Sequence, residues 1–322
     1  MSDFDSYFGS NEDTDQQVPV SSVDHPELIE KKEVKAKASG NKVREKGPAN
    51  DHIKSKKRRT KGDIIRTVII IICAIIFCYS GIRLLGILLE YNRGKKLYGD
   101  VTGQITEDNT PVEIVSEDGN VSKVPFKYDH NALLAINADA QGMLYIPSVD
   151  MRLPVVQGTD NEKYLTTAID GSSNINGCLF IDYRINGGIN SSHVIIYGHT
   201  LYSGTMFSVL HKYRNSGFYQ TEGNDKFYIY TKDRLREYQI FSVYLTDPTS
   251  ETFTFNFPTL SSMQSYAVAR KQESIYATNG DPSTARQIVT LSTCADNLTH
   301  RLIIHGSLIG ETAIPQSEPS NN

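Results

Sequence analysis

T-L-S-T-C-A-D-N-L-T-H-R-L-I-I-H-G-S-L-I, residues 290–309, holds a cysteine at the end of one apolar run and an arginine at the start of another. Ile288–Leu291 is aliphatic and β-branched and reads as a buried strand. Cys294 follows it, and Arg301 opens a second run of the same kind, Leu302–Ile304. Two strands joined by a short loop put a thiol and a guanidinium near the same end of a sheet. A thiolate acts as a nucleophile where a neighbour keeps it charged or takes its proton. The best upstream base is His199 in V-I-I-Y-G-H-T, residues 194–200, where the buried strand Val194–Tyr197 runs out into a glycine loop. The residues therefore point to a Cys294/His199/Arg301 acyl-transfer site on a β domain.

Outward from that stretch, β-type runs recur at Met143–Ile146, Leu153–Val156, Cys178–Ile181, Phe227–Tyr230 and Leu235–Leu245, the last two joined by a turn at Lys232–Asp233. The final strand is read over Leu302–Ile309, and the polar sequence from Glu311 as a loose tail. Helical interruptions are expected at Asp129–Asn137, Asn161–Ala168, Met206–Tyr213 and Thr259–Tyr276. About eight short strands with Gly, Asp and Asn turns predict a mostly β domain with short helices, closed as a barrel or packed as a sandwich.

The N-terminal third has other physics. Residues 1–63 are polar, poor in aromatics and without period, which predicts disorder. They change from acidic over Asp3–Asp15 to basic at Lys54–Lys61, K-S-K-K-R-R-T-K. Residues 64–90 follow, almost uniformly aliphatic with Arg83 near the far end, long enough for a transmembrane helix. Arg83 can snorkel to the interface there. The basic cluster before the span predicts a cytoplasmic N-terminus by the positive-inside rule, with the downstream domain outside. The basic run is explained by that topology, and no nucleic-acid partner is predicted. Residues 91–125 read as a polar stalk, 126–310 as the folded domain and 311–322 as a flexible tail.

Net charge of −4 argues for no particular partner, because it averages unlike segments. There is no P-loop, no dinucleotide glycine fingerprint, no H-E-x-x-H and no paired C-x-x-C, so neither metal nor cofactor is predicted. Cys73 and Cys78 fall in the hydrophobic span, leaving Cys178 and Cys294 for the domain. Sequence leaves a disulfide between those two open. The apolar context G-C-L-F-I-D favours a buried structural thiol at Cys178.

T-L-S-T-C with a following arginine, together with Y-G-H-T, resembles the sortases, transpeptidases of Gram-positive cell surfaces. Further stretches are similar to class B sortases: I-N-A-D-A-Q-G-M-L-Y-I-P from Ile136, L-P-V-V-Q-G-T-D-N-E-K-Y-L from Leu153, G-C-L-F-I-D-Y-R from Gly177 and G-H-T-L-Y-S-G-T-M-F from Gly198. The long helix Thr259–Tyr276 before the last two strands is similar too, and the likeness spans roughly Tyr128–Ile309. Thr200, where class B members often carry asparagine, and Cys178, where a hydroxyl residue is common, depart from the pattern. So does the long leader before the membrane span.

The resemblance implies a closed sortase-like barrel of about eight strands. It also implies roles: Cys294 as the nucleophile on a Thr–X bond of a sorting signal, His199 as general acid/base, and Arg301 as donor to the substrate carbonyl or oxyanion. Asp296 matches an acid that orients the histidine in some class B members, although an aspartate capping a loop reads equally well. Ser292, in the same motif, is placed against the bound peptide. The implied partners are secreted surface proteins with a C-terminal sorting motif, a cell-wall precursor amine as acceptor, and the bilayer. Residue chemistry alone also admits a cysteine protease, although the papain-like and caspase signatures around the cysteine are missing. A third reading is a non-catalytic anchored scaffold.

Overall fold

The structure, a computed structural model, describes residues 60–107, 110–115, 121–201, 203–294 and 300–314. The expectations for residues 1–59, for Asp296 and for the tail over 315–322 lie outside them.

The aliphatic run forms the middle of a single helix, α1 (Lys61–Ile105). Its side chains from Ile64 to Leu89 are largely exposed, and its most apolar window has a mean hydropathy of 2.5 with no residue buried. It is long and apolar enough to cross a membrane. Where a polar stalk is expected over residues 91–125, α1 instead continues and docks on the domain through Gly94, Tyr98, Val101 and Ile105. Those residues recur every three or four positions, so one helical stripe is buried while Arg93, Lys95, Lys96 and Asp100 stay outside it. The chain then forms β1 (Thr106–Glu107), a hairpin of β2 (Val112–Val115) and β3 (Val121–Val124), and β4 (Lys127–Tyr128), which pairs with β1. Helix α2 (His130–Ile136) follows, capped by the Asp129 carboxylate accepting from Ala132 N at 2.9 Å.

Eight strands close the barrel: β5 (Ala140–Ile146), β6 (Met151–Val156), β7 (Leu179–Ile181), β8 (His193–His199), β9 (Lys226–Tyr230), β10 (Arg234–Thr246), β11 (Ile288–Cys294) and β12 (Arg301–Ala313). Their order is β10-β12-β11-β8-β7-β6-β5-β9, with β9 returning to β10, so the barrel has no free edge. The β6–β7 and β8–β11 pairs are parallel and the others antiparallel. Of the barrel and the sandwich that the run of short strands leaves open, the domain is the closed barrel.

Strand alternation gives β8, β11 and β12 two faces. Gly198 on one face abuts Leu179 and Phe207, and Gly306 abuts Phe227 and Tyr238, which places this face inside the barrel. The other face carries Ile288, against which α4 (Leu260–Gln272) packs Met263 and Ala267. A capping box between Thr259 and Ser262 starts α4, which ends four residues before the expected Tyr276.

Three expectations change in detail. Asn161–Ala168 forms only a 3-10 turn at Lys163–Leu165, because the carbonyls of Tyr164 and Thr166 accept from Cys178 N and Asn174 N rather than along a helix. Met206–Tyr213 is a 3-10 helix over Phe207–Arg214. The tail expected from Glu311 is still strand to Ala313, held by the Glu311–Arg236 ion pair at 2.9 Å and by Ile314 N donating to Asp233 O at 2.8 Å.

Candidate active site

The parallel ladder between β8 and β11 runs Ser292↔Tyr197, Thr293↔Gly198, Cys294↔His199. The two strands therefore end level, with the cysteine and histidine positions opposite one another on neighbouring strands, which lie about 4.8 Å apart. On the other flank of β11, β12 begins at Arg301. Its guanidinium Nη1 donates to Thr293 O at 2.8 Å, and Leu302 N donates to Thr293 Oγ1 at 3.0 Å. The peptide that precedes the cysteine is thus clamped from the arginine strand. Three positions separated by up to 102 residues in sequence share one rim of the barrel.

Local sequence explains the approach. Gly198 lets β8 pass beneath Phe207: a Cβ there would stand 2.7 Å from Phe207 Cγ. Beyond His199 the chain reverses, with a bridge between Thr200 and Met206, Gly204 at φ 69 and Met206 at φ 53. Met206 holds that uncommon conformation with its side chain buried.

His199 is 6% exposed, and its Nε2 lies 2.6 Å from Leu165 O. A carbonyl oxygen has no hydrogen, so Nε2 donates. In the neutral ring, Nδ1 is then the nitrogen with the lone pair. The Leu165 carbonyl is a functional partner that sequence reading misses, since a backbone acceptor leaves no residue signature. Ser292 is fully buried on the face of β11 that also carries Thr290, and its hydroxyl has no hydrogen-bond partner among the described residues.

Cys178 is a free, buried thiol 3.7 Å from Pro154 O, and burial pushes its pKa up to about 12. It is not half of a disulfide, and its burial fits the structural thiol expected from its apolar context. Nearby, Asp182 holds Arg184 through two hydrogen bonds of 2.9 and 2.7 Å and accepts from the Tyr197 hydroxyl at 3.1 Å. Burial opposes its charge, but the Arg184 contacts outweigh it and keep the carboxyl below the usual carboxylate range.

Below the rim, the same outer face holds a buried polar chain, also unforeseen. Thr254 O is 2.7 Å from His193 Nδ1, His193 Nε2 is 2.7 Å from Thr290 Oγ1, and Thr290 Oγ1 is 2.7 Å from His305 Nδ1. His305 Nε2 is 2.9 Å from the Tyr244 hydroxyl, which lies 2.8 Å from Thr252 Oγ1. The carbonyl fixes every proton: His193 Nδ1–H donates to Thr254, Thr290 donates to His193, His305 Nδ1–H to Thr290, Tyr244 to His305, and Thr252 to Tyr244. Both histidines are neutral in this chain. Burial lowers the His193 pKa to about 4 and lowers that of His305 well below its usual value, with His193 and Arg270 adding to the effect on His305. The chain ties the 251–254 turn to β8, β10, β11 and β12, and Phe253 on that turn stacks with Tyr197, two residues before His199.

Among the described residues no cluster of three His, Cys, Asp or Glu is arranged to hold a metal ion. The rim offers a cysteine position, an imidazole with a fixed tautomer and a guanidinium, groups that together can carry acyl transfer through a thioester.

Residues 144–309, just over half of the chain, match the Sortase family model, described as "Sortase domain". The chain is 27% identical over 239 residues to Sortase B of Listeria monocytogenes, covering 73% of this chain and 92% of that protein. It is 28% identical over 186 residues to Sortase B of Staphylococcus aureus, covering 55% and 73%. Among solved structures, sortase B from B. anthracis in complex with AAEK1 superposes with a TM-score of 0.57 at 25% identity, over 69% of this chain and 99% of that one. A Staphylococcus aureus sortase B–substrate complex gives a TM-score of 0.51 at 27% identity, over 56% and 83%.

Proposed function

The chain belongs to the sortase family of cysteine transpeptidases, and from that premise we propose that it cleaves a Thr–X bond in the sorting signal of secreted proteins and passes the acyl group to a cell-wall precursor amine. The observation that carries the reading is the level register of Cys294 with His199, flanked by Arg301 on the next strand.

The Cys294 thiolate attacks the threonine carbonyl carbon, and the carbonyl electrons move onto oxygen. Arg301, held beside the nucleophile by Thr293 O, has further N–H donors to offer that oxyanion. Collapse breaks the C–N bond, and imidazolium at His199 gives its proton to the leaving amine, leaving a thioester on Cys294. The neutral imidazole then takes a proton from the incoming amine as it attacks the thioester. The new amide forms, the thiolate leaves, and the original protonation states return. Ser292, whose buried hydroxyl has no hydrogen-bond partner among the described residues, is proposed as the position from which β11 meets the bound peptide. Asp296 is proposed as an acid that orients His199 or, with equal weight, as a cap of its own loop. The chemistry assigned to these residues requires no cofactor.

A helix whose exposed side chains are aliphatic from Ile64 to Leu89 favours a bilayer over water. With Lys54–Lys61 before it, the N-terminus is proposed to be cytoplasmic and the barrel external, beside both secreted substrates and the wall.

The test is ligation by the full chain in detergent micelles. A pool of sorting-type peptides is offered with and without an oligoglycine or diaminopimelate peptide. A ligated product that needs both the amine and Cys294 supports transpeptidation. Cleavage that ignores the amine moves the assignment to a protease, and absence of turnover with a peptide that the relatives process moves it to a scaffold.

A further inference from the structure

Helix α1 meets the domain along one stripe, and two residues of that stripe touch the loop before β7. Gly94 is required by what it faces, since a Cβ there would stand 2.8 Å from Asn174 Oδ1. One turn on, the Tyr98 hydroxyl donates to the Gly177 carbonyl. Gly177 has φ +58, in the left-handed region, and a Cβ on it would lie 2.7 Å from Leu165 O and 3.0 Å from Leu165 C. The Gly177 backbone therefore lies against the Leu165 peptide. Hydrogen bonds of 2.9 Å from Cys178 N to Tyr164 O and from Asn174 N to Thr166 O fasten the two segments on either side of it. Leu165 O is the atom that accepts from His199 Nε2. Four residues in contact thus lead from the anchor helix to the imidazole: Tyr98, Gly177, Leu165 and His199.

We propose that Tyr98 and Gly177 are positioning residues for His199, so that the Tyr98 contact of the docked helix, rather than its packing in general, sets the carbonyl that fixes the imidazole tautomer. The inference rests on His199 being the acid/base. Nε2–H then stays on Leu165 O through the whole cycle, and every transferred proton passes through Nδ1. Imidazolium Nδ1–H protonates the leaving amine, and the bare Nδ1 recovers a proton from the incoming one. A loosened Leu165 carbonyl lets the neutral ring populate the other tautomer, whose Nδ1 already carries hydrogen and accepts nothing. Helix docking and catalysis are coupled in this way without α1 touching the site.

The experiment uses the full chain in detergent micelles with 15N-labelled histidine, the His199 signals being identified by their loss in His199→Gln. Three variants are compared. Gly177→Ala puts a methyl group against the carbonyl oxygens of Tyr164 and Leu165, the second being the oxygen that His199 uses. Tyr98→Phe removes one hydroxyl and keeps the ring. Val101→Ala removes packing from the same helix stripe without touching the 174–177 loop. The wild type is expected to show neutral His199 as the Nε2–H tautomer alone. Gly177→Ala and, to a lesser degree, Tyr98→Phe are expected to show both tautomers. Their peptide-ligation kcat should fall by about 10-fold and about 3-fold, the scale of one weakened hydrogen bond, with KM unchanged. Val101→Ala should lower the melting temperature yet keep the wild-type tautomer and kcat. A single wild-type tautomer in both Tyr98→Phe and Gly177→Ala overturns the proposal, as does equal disturbance by Val101→Ala. If Gly177→Ala does not fold, Tyr98→Phe decides alone. Full turnover by His199→Gln would instead sink the acid/base reading, and the tautomer comparison would still decide the link from Tyr98.

Discussion

Acidification tests the buried histidine chain directly. His193 and His305 are neutral in the fold, wholly buried, and each already uses one ring nitrogen as an acceptor. Protonating either places a second hydrogen against a hydroxyl hydrogen in a site without water access, so the folded state resists the charge. The unfolded chain does not, and its histidines take up protons near the ordinary value of 6.5. Below that pH the unfolded state binds more protons, so stability is full above it and is lost as pH falls toward the folded value, about 4 for His193. By pH ~4.5 the loss from His193 is about 2.5 kcal/mol, and His305, also held below its ordinary value by burial, loses stability in the same direction. The His193 loss alone is a substantial part of the stability of an ordinary domain. The carboxyls of Asp139, Asp170 and Asp182 are held below 3.8, so their contributions persist through this window and are lost only at lower pH. Thermal unfolding of the full chain in micelles, followed by near-ultraviolet circular dichroism of its tyrosines, gives the readout. Between pH ~7 and ~4.5 the midpoint should fall by at least roughly 5 °C, the share due to His193. A midpoint that moves by less than about 3 °C across that range would refute two neutral buried histidines.

Thr290→Val keeps the shape at the centre of the same chain but leaves His193 Nε2 and His305 Nδ1 without partners, and should cost about 2–4 kcal/mol in unfolding measurements at neutral pH. Arg301→Lys keeps the charge but loses the planar fork, and ligation kcat is expected to fall about 100-fold with the fold intact by circular dichroism. Gly198→Ala drives a methyl group into Leu179 and Phe207 just before the histidine, and should lower both the melting temperature and ligation activity, at a cost of about 1–3 kcal/mol.

The candidate site was legible in sequence because each residue proposed for it carries its chemistry in its side chain and sits at a strand end. Cys294, His199 and Arg301 each adjoin an aliphatic run, and strands that end together bring such residues to one rim. The strands themselves were legible for the same reason, as short β-branched stretches between turns. The docked part of α1 was not read, although its signal was present. Gly94, Tyr98, Val101 and Ile105 keep a helical period, but they lie among Arg93, Lys95, Lys96 and Asp100, and a stripe containing a glycine and a tyrosine has little hydrophobic contrast. His193 and His305 gave no local sign because their partners are remote: Thr290 stands 97 residues from His193, and Tyr244 stands 61 from His305. The Leu165 carbonyl is beyond any residue pattern, because every residue has one.

The central claim, that Cys294 carries the acyl group, is tested most directly by intact-mass spectrometry of the full chain after a short incubation with the sorting-type peptide pool. The result predicted is a mass increase equal to the peptide portion ending in threonine, mapped to Cys294, absent in Cys294→Ala, and discharged into a ligated product when an amine is added. Peptide turned over by Cys294→Ala, or an adduct mapped to any other residue, would contradict it.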